Sequence, residues 1–314
     1  MVGSMYAAIS GLRAHQQKMN VIGNNIAKVN TYGYKSQRAT FRDSMYSSLR
    51  SSTAGTATTG GVNASQIGYG STVNTIDMNM RTGTYAITDD SMNLMIDGDG
   101  FFITSPNINT AGYPLSADTV GNLDGMQLTR VGDFRFDNNG YLTDGTGNIV
   151  YGFAWDGAGE KWVPGTLVPL RIPADGPDQT DATAERMALT SISISKNGEV
   201  TGMNGDQVVH IGCISLAYVD NPGGVTHLGD SYYQAGGNAG SVRAGSVGNV
   251  VGAADDSGIV NMNSSMVSGA LEMSNVDISN EFADLITTQR GFQANTKIIT
   301  VTDEMLSDLV SMKR

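Results

Sequence analysis

Apolar residues recur at both ends of the chain in alternating steps of four and three, whereas the middle follows a shorter rhythm. From Ile278 the steps land on Ile278, Phe282, Leu285, Gln289, Phe292, Thr296, Ile299, Asp303, Leu306 and Val310. This mostly apolar seam has the 3.5-residue period of a coiled coil. Asp277 and Ser279 stand where an N-cap and a polar first turn belong, and Lys313 with Arg314 close the end where cations are favoured. At ~1.5 Å per residue the helix would be roughly 50 Å long, more than a small compact domain needs. Near the other terminus, Met1, Met5, Ala8, Leu12, His15, Met19, Ile22, Ile26 and Val29 form a second seam, broken only by His15. The spacing predicts a first helix over 2–29, with Gly11 and Gly23 as interior weak points of the kind that permit close helix contact.

Between the seams the periodicity turns to short strands. Val73 to Met80 alternates, Asn93 to Ile103 and Gln127 to Phe136 are apolar runs, and Asn139-Gly140 before Tyr141-Leu142 is a hairpin signal. Strand patterns resume at Ile149, Ser191, Val208 and Tyr232, while 155–187 holds four prolines and the acidic Asp175, Asp178, Asp181 and Glu185. Ser47 to Gly61 is a low-complexity Ser/Thr/Ala/Gly stretch that reads as a linker. Before it, Lys35, Arg38 and Arg42 read either as a solvated connector or as a contact strip against acidic neighbours.

Composition narrows the partners. Charged residues make up 16 % of the 314, against ~25 % in typical domains, and the 40 glycines are about twice the usual share, which favours turn-dense β structure. A net charge of −11 argues against nucleic acid and anionic membrane as partners. No run approaches the ~18 apolar residues of a membrane span, and the first residues lack the apolar core of a secretion signal. The expectation is a chain with neither membrane insertion nor a cleavable leader.

Candidate chemistry is sparse. The single Cys213 excludes an intramolecular disulfide and reads as a small core residue. Asp97-Gly98-Asp99-Gly100 resembles the start of a calcium loop, but Phe101 and Phe102 occupy positions that need an oxygen ligand and a glycine. It therefore reads as a tight turn. The three histidines, His15, His210 and His227, offer one weak acid/base pairing, His227 with Asp230 in a loop. No catalytic site, metal or cofactor is expected, although a polysaccharide-acting β enzyme using two of Asp97, Asp99, Asp133 and Asp137 stays open, as does a binding module.

Several runs resemble one family. Ala8-Ile9-Ser10-Gly11-Leu12 and Asn20 to Ala27 through Val29-Asn30-Thr31-Tyr32-Gly33-Tyr34-Lys35 are similar to the N-terminal signature of bacterial flagellar rod and hook proteins. Gly269 to Asp277 and Gln289-Arg290-Gly291-Phe292-Gln293-Ala294-Asn295 resemble that family's other end. Ile96 to Phe102 and Thr129-Arg130-Val131-Gly132-Asp133-Phe134 resemble its β-domain motifs. The resemblance implies an axial subunit exported unfolded by the flagellar type III apparatus, its terminal helices forming an inner tube. Within the family, Gln289 to Gln293 and the ending Leu309 to Arg314 look like hook proteins, and the distal rod is the alternative.

These readings combine into an α+β chain in which long paired terminal helices form a coiled coil and flank an all-β domain of short antiparallel strands. Expected boundaries are 1–35 for the N-terminal helix and 36–70 for an extended linker ordered on assembly. The β domain would take 71–144 with 188–260, a small outer insertion 145–187, and the C-terminal helix 261–314. The assembly interface would be Met1, Met5, Ala8, Leu12, Met19, Ile22, Ile26 and Val29 with Ile278, Phe282, Leu285, Phe292, Ile299, Leu306 and Val310. As implied by the resemblance, the partners would be further copies in a helical tube, distal-rod and hook-filament junction proteins, and, during assembly, the hook cap and export apparatus. The expected role is a non-catalytic hook subunit, an extracellular universal joint transmitting torque.

Overall fold

The computed structural model describes residues 2–55, 58, 60–115, 123, 125–156, 161–174, 186–248, 251 and 259–312, leaving aside the side chains of residues 2, 161, 164 and 165. Met1, the acidic stretch from Asp175 to Glu185, and Lys313 with Arg314 lie outside the described residues. The chain divides into two compact units. A helical unit comprises Met1–Val29, Lys35–Asn79 and Val276–Arg314, and a β unit comprises Asn30–Tyr34 and Met80–Asn275.

In the β unit, one path of a large sheet runs through Ser191–Ile194, Glu199–Asn204, Gln207–Ile214, Ile149–Asp156, Phe101–Ser105, Leu216–Val219, Val242–Val247 and Val260–Met262. Its pairings are antiparallel apart from the last, Val242–Val247 with Val260–Met262, which is parallel. Phe101–Ser105 is buried at all five positions, which is why it reads as a continuous apolar run rather than an alternating one. Its Phe102 stands opposite Leu216 on one side and Thr129 on the other, and meets Phe134 edge-on at 4.9 Å. Leu94, Ile96, Leu142, Val150 and Met266 pack in the same core.

Of the expected β domain, 71–144 with 188–260, the strand Ser71–Met78 falls in the helical unit, and the remaining strands are joined in this unit by others outside those boundaries. Ile149–Asp156 and Lys161–Pro169 pair with each other, and Ile149–Asp156 is central to the sheet. The C-terminal helix begins only at Ile278, because Val260–Met262, Ser265–Ser268 and Ala270–Glu272 are strands. The Asn139-Gly140 signal closes a hairpin in which Phe134–Phe136 pairs with Leu142–Asp144. Asp137 Oδ1 accepts the N–H groups of Asn139 at 2.9 Å and Tyr141 at 2.7 Å, so this carboxylate is spent on its own turn. Gly98 and Gly100 take φ of +123° and +120°, a conformation that L side chains rarely adopt. They turn the chain from Leu94–Asp97, paired with Ser265–Ser268, into Phe101–Ser105.

Five segments far apart in sequence meet inside this unit. Arg130 and Glu272 are each 1 % exposed, with Nη1 3.4 Å from Oε2. Arg130 Nη2 also donates to Gly98 O at 2.9 Å, and the guanidinium lies 5.4 Å from the centre of the Phe101 ring. Glu272 Oε1 accepts the Gly83 N–H and its backbone carbonyl accepts the Gly33 N–H, both at 2.8 Å. Burial pushes the Arg130 guanidinium down from its ordinary pKa, and the Glu272 carboxylate opposes that shift. A buried ion pair is costly to make and costlier to break, since removing one partner strands the other charge without water.

Glu272→Ala should therefore destabilise the β unit by about 3–5 kcal/mol in urea unfolding, whereas Arg130→Met with Glu272→Leu together should recover most of that loss. A Glu272→Ala protein as stable as wild type would show that the pair does not hold these segments.

Candidate assembly interface

The helical unit is built on α1, Val2–Ala27, and α2, Ile278–Ser311. Asp277 caps α2, its Oδ1 accepting the N–H of Ser279 at 2.9 Å and of Asn280 at 3.3 Å. The helices lie side by side and antiparallel. Gly11 faces Asn295, His15 faces Gly291, Lys18 Nζ reaches Asp284 at 3.4 Å, and Asn25 reaches Glu281. With 26 residues in α1 and 34 in α2, the end of α2 extends about two turns past the first helical residue of α1.

Small residues set the closeness of approach. A Cβ on Gly11 would lie 2.8 Å from Asn295 Nδ2, and a Cβ on Gly291 would lie 2.8 Å from His15 Cε1 and Nε2. Each helix thus carries a glycine where the other places a polar side chain. Gly23, by contrast, faces open space, with nothing within 4 Å of an added Cβ.

Asn25 is fully buried and ties three elements together. Its Oδ1 accepts the Gln37 N–H at 3.0 Å, and its Nδ2 donates to Gln37 O at 2.8 Å and Glu281 Oε1 at 3.0 Å. Gln37 opens β1, Gln37–Asp43, which pairs antiparallel with β4, Ser71–Met78. Between them β2, Tyr46–Arg50, pairs with β3, Ser65–Gly68. The stretch read as a linker is therefore partly a hairpin, because cross-strand pairing supplies partners for the backbone of a Ser/Thr-rich chain. Phe41 of β1 meets the His15 ring edge-on at 5.5 Å.

The seams read from the sequence and the stripes the helices share coincide at every seventh residue and part between. On α2 the less exposed positions are Glu281, Leu285, Thr288, Gly291, Phe292, Asn295, Ile299, Thr302 and Leu306. Leu285, Phe292, Ile299 and Leu306 were expected there, but the alternate places go to Thr288, Asn295 and Thr302 rather than Gln289, Thr296 and Asp303. Ile278, Phe282 and Val310 are exposed in the single chain. On α1, Ala8 and Ile22 are buried, Met5, Leu12, Met19 and Ile26 are half-buried, and the flank against α2 runs through Gly11, His15, Lys18 and Asn25; Val29, expected on this helix, is half-buried in the turn that follows it. An apolar pattern cannot flag small or polar interface residues. The signal for Gly11, Asn25, Gly291 and Asn295 lay instead in the runs that resemble a family.

Two groups at this seam titrate in opposite senses. Burial first, then the Lys18 cation, holds His15 below the ordinary histidine pKa. Burial raises Glu281 above the ordinary carboxylate value, against the hydrogen bond from Asn25. The fold thus favours neutral His15, so this contribution is complete above about pH 6.5 and is lost as pH falls further. The Glu281 contribution runs the other way and grows only as pH falls through the carboxylate range. Thermal melting of the helical signal should drop between about pH 7.5 and 5.5, and His15→Gln should flatten that drop. Gly11→Leu should lower the melting temperature of the helical signal at neutral pH, since the added atoms have no room beside Asn295; an unchanged transition would refute the close contact.

Residues 5–35 match the family model described as flagella basal body rod protein, and residues 267–312 match that of the flagellar basal body rod FlgEFG protein C-terminal. The flagellar basal-body rod protein FlgG of Bacillus subtilis (strain 168) is 36 % identical over 315 positions, covering all of both chains. The FlgG rod protein of Caulobacter vibrioides is 28 % identical over 96 % of each. The flagellar hook protein FlgE of Borreliella burgdorferi is 26 % identical over 452 positions, again covering both chains. The matched segments carry both helices, Asn25, and the glycines that let the helices meet, and the chain belongs to the flagellar rod and hook protein family.

Proposed function

We propose that this chain is a distal-rod subunit, a non-catalytic structural protein whose copies polymerise through the helical unit into a straight, stiff tube of the flagellar basal body. The observation that carries this reading is one of length. The FlgG rod alignment spans 315 positions against 314 residues here, so one position falls opposite a gap in this chain, whereas 138 of the 452 positions of the FlgE hook alignment do. The hook reading rests on Gln289 to Gln293 and the ending Leu309 to Arg314, and this comparison favours the rod alternative over it.

The helical unit is suited to assembly. Phe282, Ile286, Met305, Leu309 and Val310 of α2 are exposed in the single chain, as are Met45, Tyr46, Leu49 and Ile67 of the β2–β3 region. Such apolar area on a lone subunit calls for neighbours. Charge points the same way. By sequence the helical unit holds eleven Lys and Arg against eight Asp and Glu, and the β unit eight against twenty-two. Contacts between the acidic β units of two copies would be repulsive, so the helical unit is the better place for contacts. There the pairing of α1 and α2 would extend into a coiled-coil wall.

A non-catalytic role fits the groups available. Cys213 is buried and its thiol is pushed up to about 12, chiefly by burial. Of the aspartates considered for hydrolysis, Asp133 pairs with Arg135 at 3.1 Å and Asp137 closes its own turn. Partners would be further copies, the axial components before and after it, and the flagellar export apparatus, placing the polymer outside the cytoplasmic membrane.

Negative-stain imaging of the concentrated full chain should show straight tubes, and a chain lacking 278–314 should form none. Curved tubes would return the assignment to the hook, and a monomer at every concentration would overturn the axial reading.

A further inference from the structure

Two bare surfaces of the helical unit are left over by the pairing of α1 with α2. The first is a row on α2, Ile298, Val301, Met305, Leu309 and Met312, whose members are 38 % to 82 % exposed. Steps of three and four keep the row on one side of the helix, off the stripe that meets α1, and the exposed Glu304 and Asp308 border it. The second is the β2–β3 ribbon. Every residue of β3 and all of β2 but Ser47 is exposed, so neither face has cover. Met45, Tyr46, Leu49 and Ile67 there are 54 % to 70 % exposed, with the exposed Arg42 and Arg50 at the margin. A two-stranded ribbon with both faces in water is marginal by itself.

The two surfaces match. Both are apolar, one is edged by carboxylates and the other by guanidinium groups, and among the described residues none of these four charges forms an ion pair. We propose that in the polymer the outer row of α2 on one copy lies on the β2–β3 ribbon of another, with Glu304 and Asp308 against Arg42 and Arg50. The contact joins two different patches, so every copy added presents one of each, and with a rotation between copies that does not close a ring the assembly extends as a helix. Opposite charges at the margin set the register, and the apolar centre supplies adhesion. This rests on the assembly reading above.

The test is a charge swap in the full chain, read by sedimentation across a concentration series. Glu304→Lys with Asp308→Lys, and separately Arg42→Glu with Arg50→Glu, should each raise the concentration needed for polymer by about tenfold or more, while circular dichroism of the dilute protein stays that of wild type. All four substitutions together should bring assembly back toward wild type. Reversals that polymerise as wild type does, or a fourfold variant no better than either pair, would overturn this contact while leaving the assembly reading intact. A wild-type chain that never polymerises would overturn both.

Discussion

Close approach of the two terminal helices is the constraint on which the helical unit depends. It is possible because Gly11 and Gly291 each leave room for a polar side chain of the opposite helix, Asn295 and His15 respectively. Larger residues there would hold the helices apart, loosening the Asn25 junction that fixes the start of β1 and the first turn of α2. On α2 the seam consequently alternates Leu285, Phe292, Ile299 and Leu306 with the smaller or polar Thr288, Asn295 and Thr302. In addition, α2 is longer than α1 can cover. A single copy is left with apolar area for others to bury.

The β unit is organised by a different interaction. Its sheet core would form from alternation and hairpin signals alone, but the segments at 33, 83, 98, 130 and 272 meet through hydrogen bonds to a buried ion pair. Directional bonds in a dry setting select one arrangement where apolar packing would accept several. The pair accounts for why short, glycine-bearing motifs from opposite ends of the chain belong together.

The two units also differ in what they show to water. The β unit keeps its large apolar residues mostly inside and carries most of the acidic charge. The helical unit leaves apolar rows bare and is slightly basic by sequence. The bare apolar rows and most of the acidic charge thus lie in separate regions of the chain.

Much of this was legible in the residues. The terminal helices, the Asp277 cap, the Asn139-Gly140 hairpin and the buried Phe101–Ser105 strand follow from spacing and turn chemistry, which are local. The resemblance of the motif runs reached the family before any geometry. What spacing could not supply was the phase of the helix contact. Leu285, Phe292, Ile299 and Leu306 obey the period whichever neighbour follows, but the choice of Thr288 over Gln289, or Asn295 over Thr296, depends on which side α1 occupies. Nor could hydropathy reveal that Ser47 to Arg50 pairs with Ser65 to Gly68, since polar strands are held by backbone bonds that side chains do not announce. The elements and their kinship were thus determined by the sequence itself. The shared stripe, the Asn25 junction and the Arg130–Glu272 pair were decided by tertiary structure, because each is a contact between residues whose separation along the chain carries no information about their separation in space.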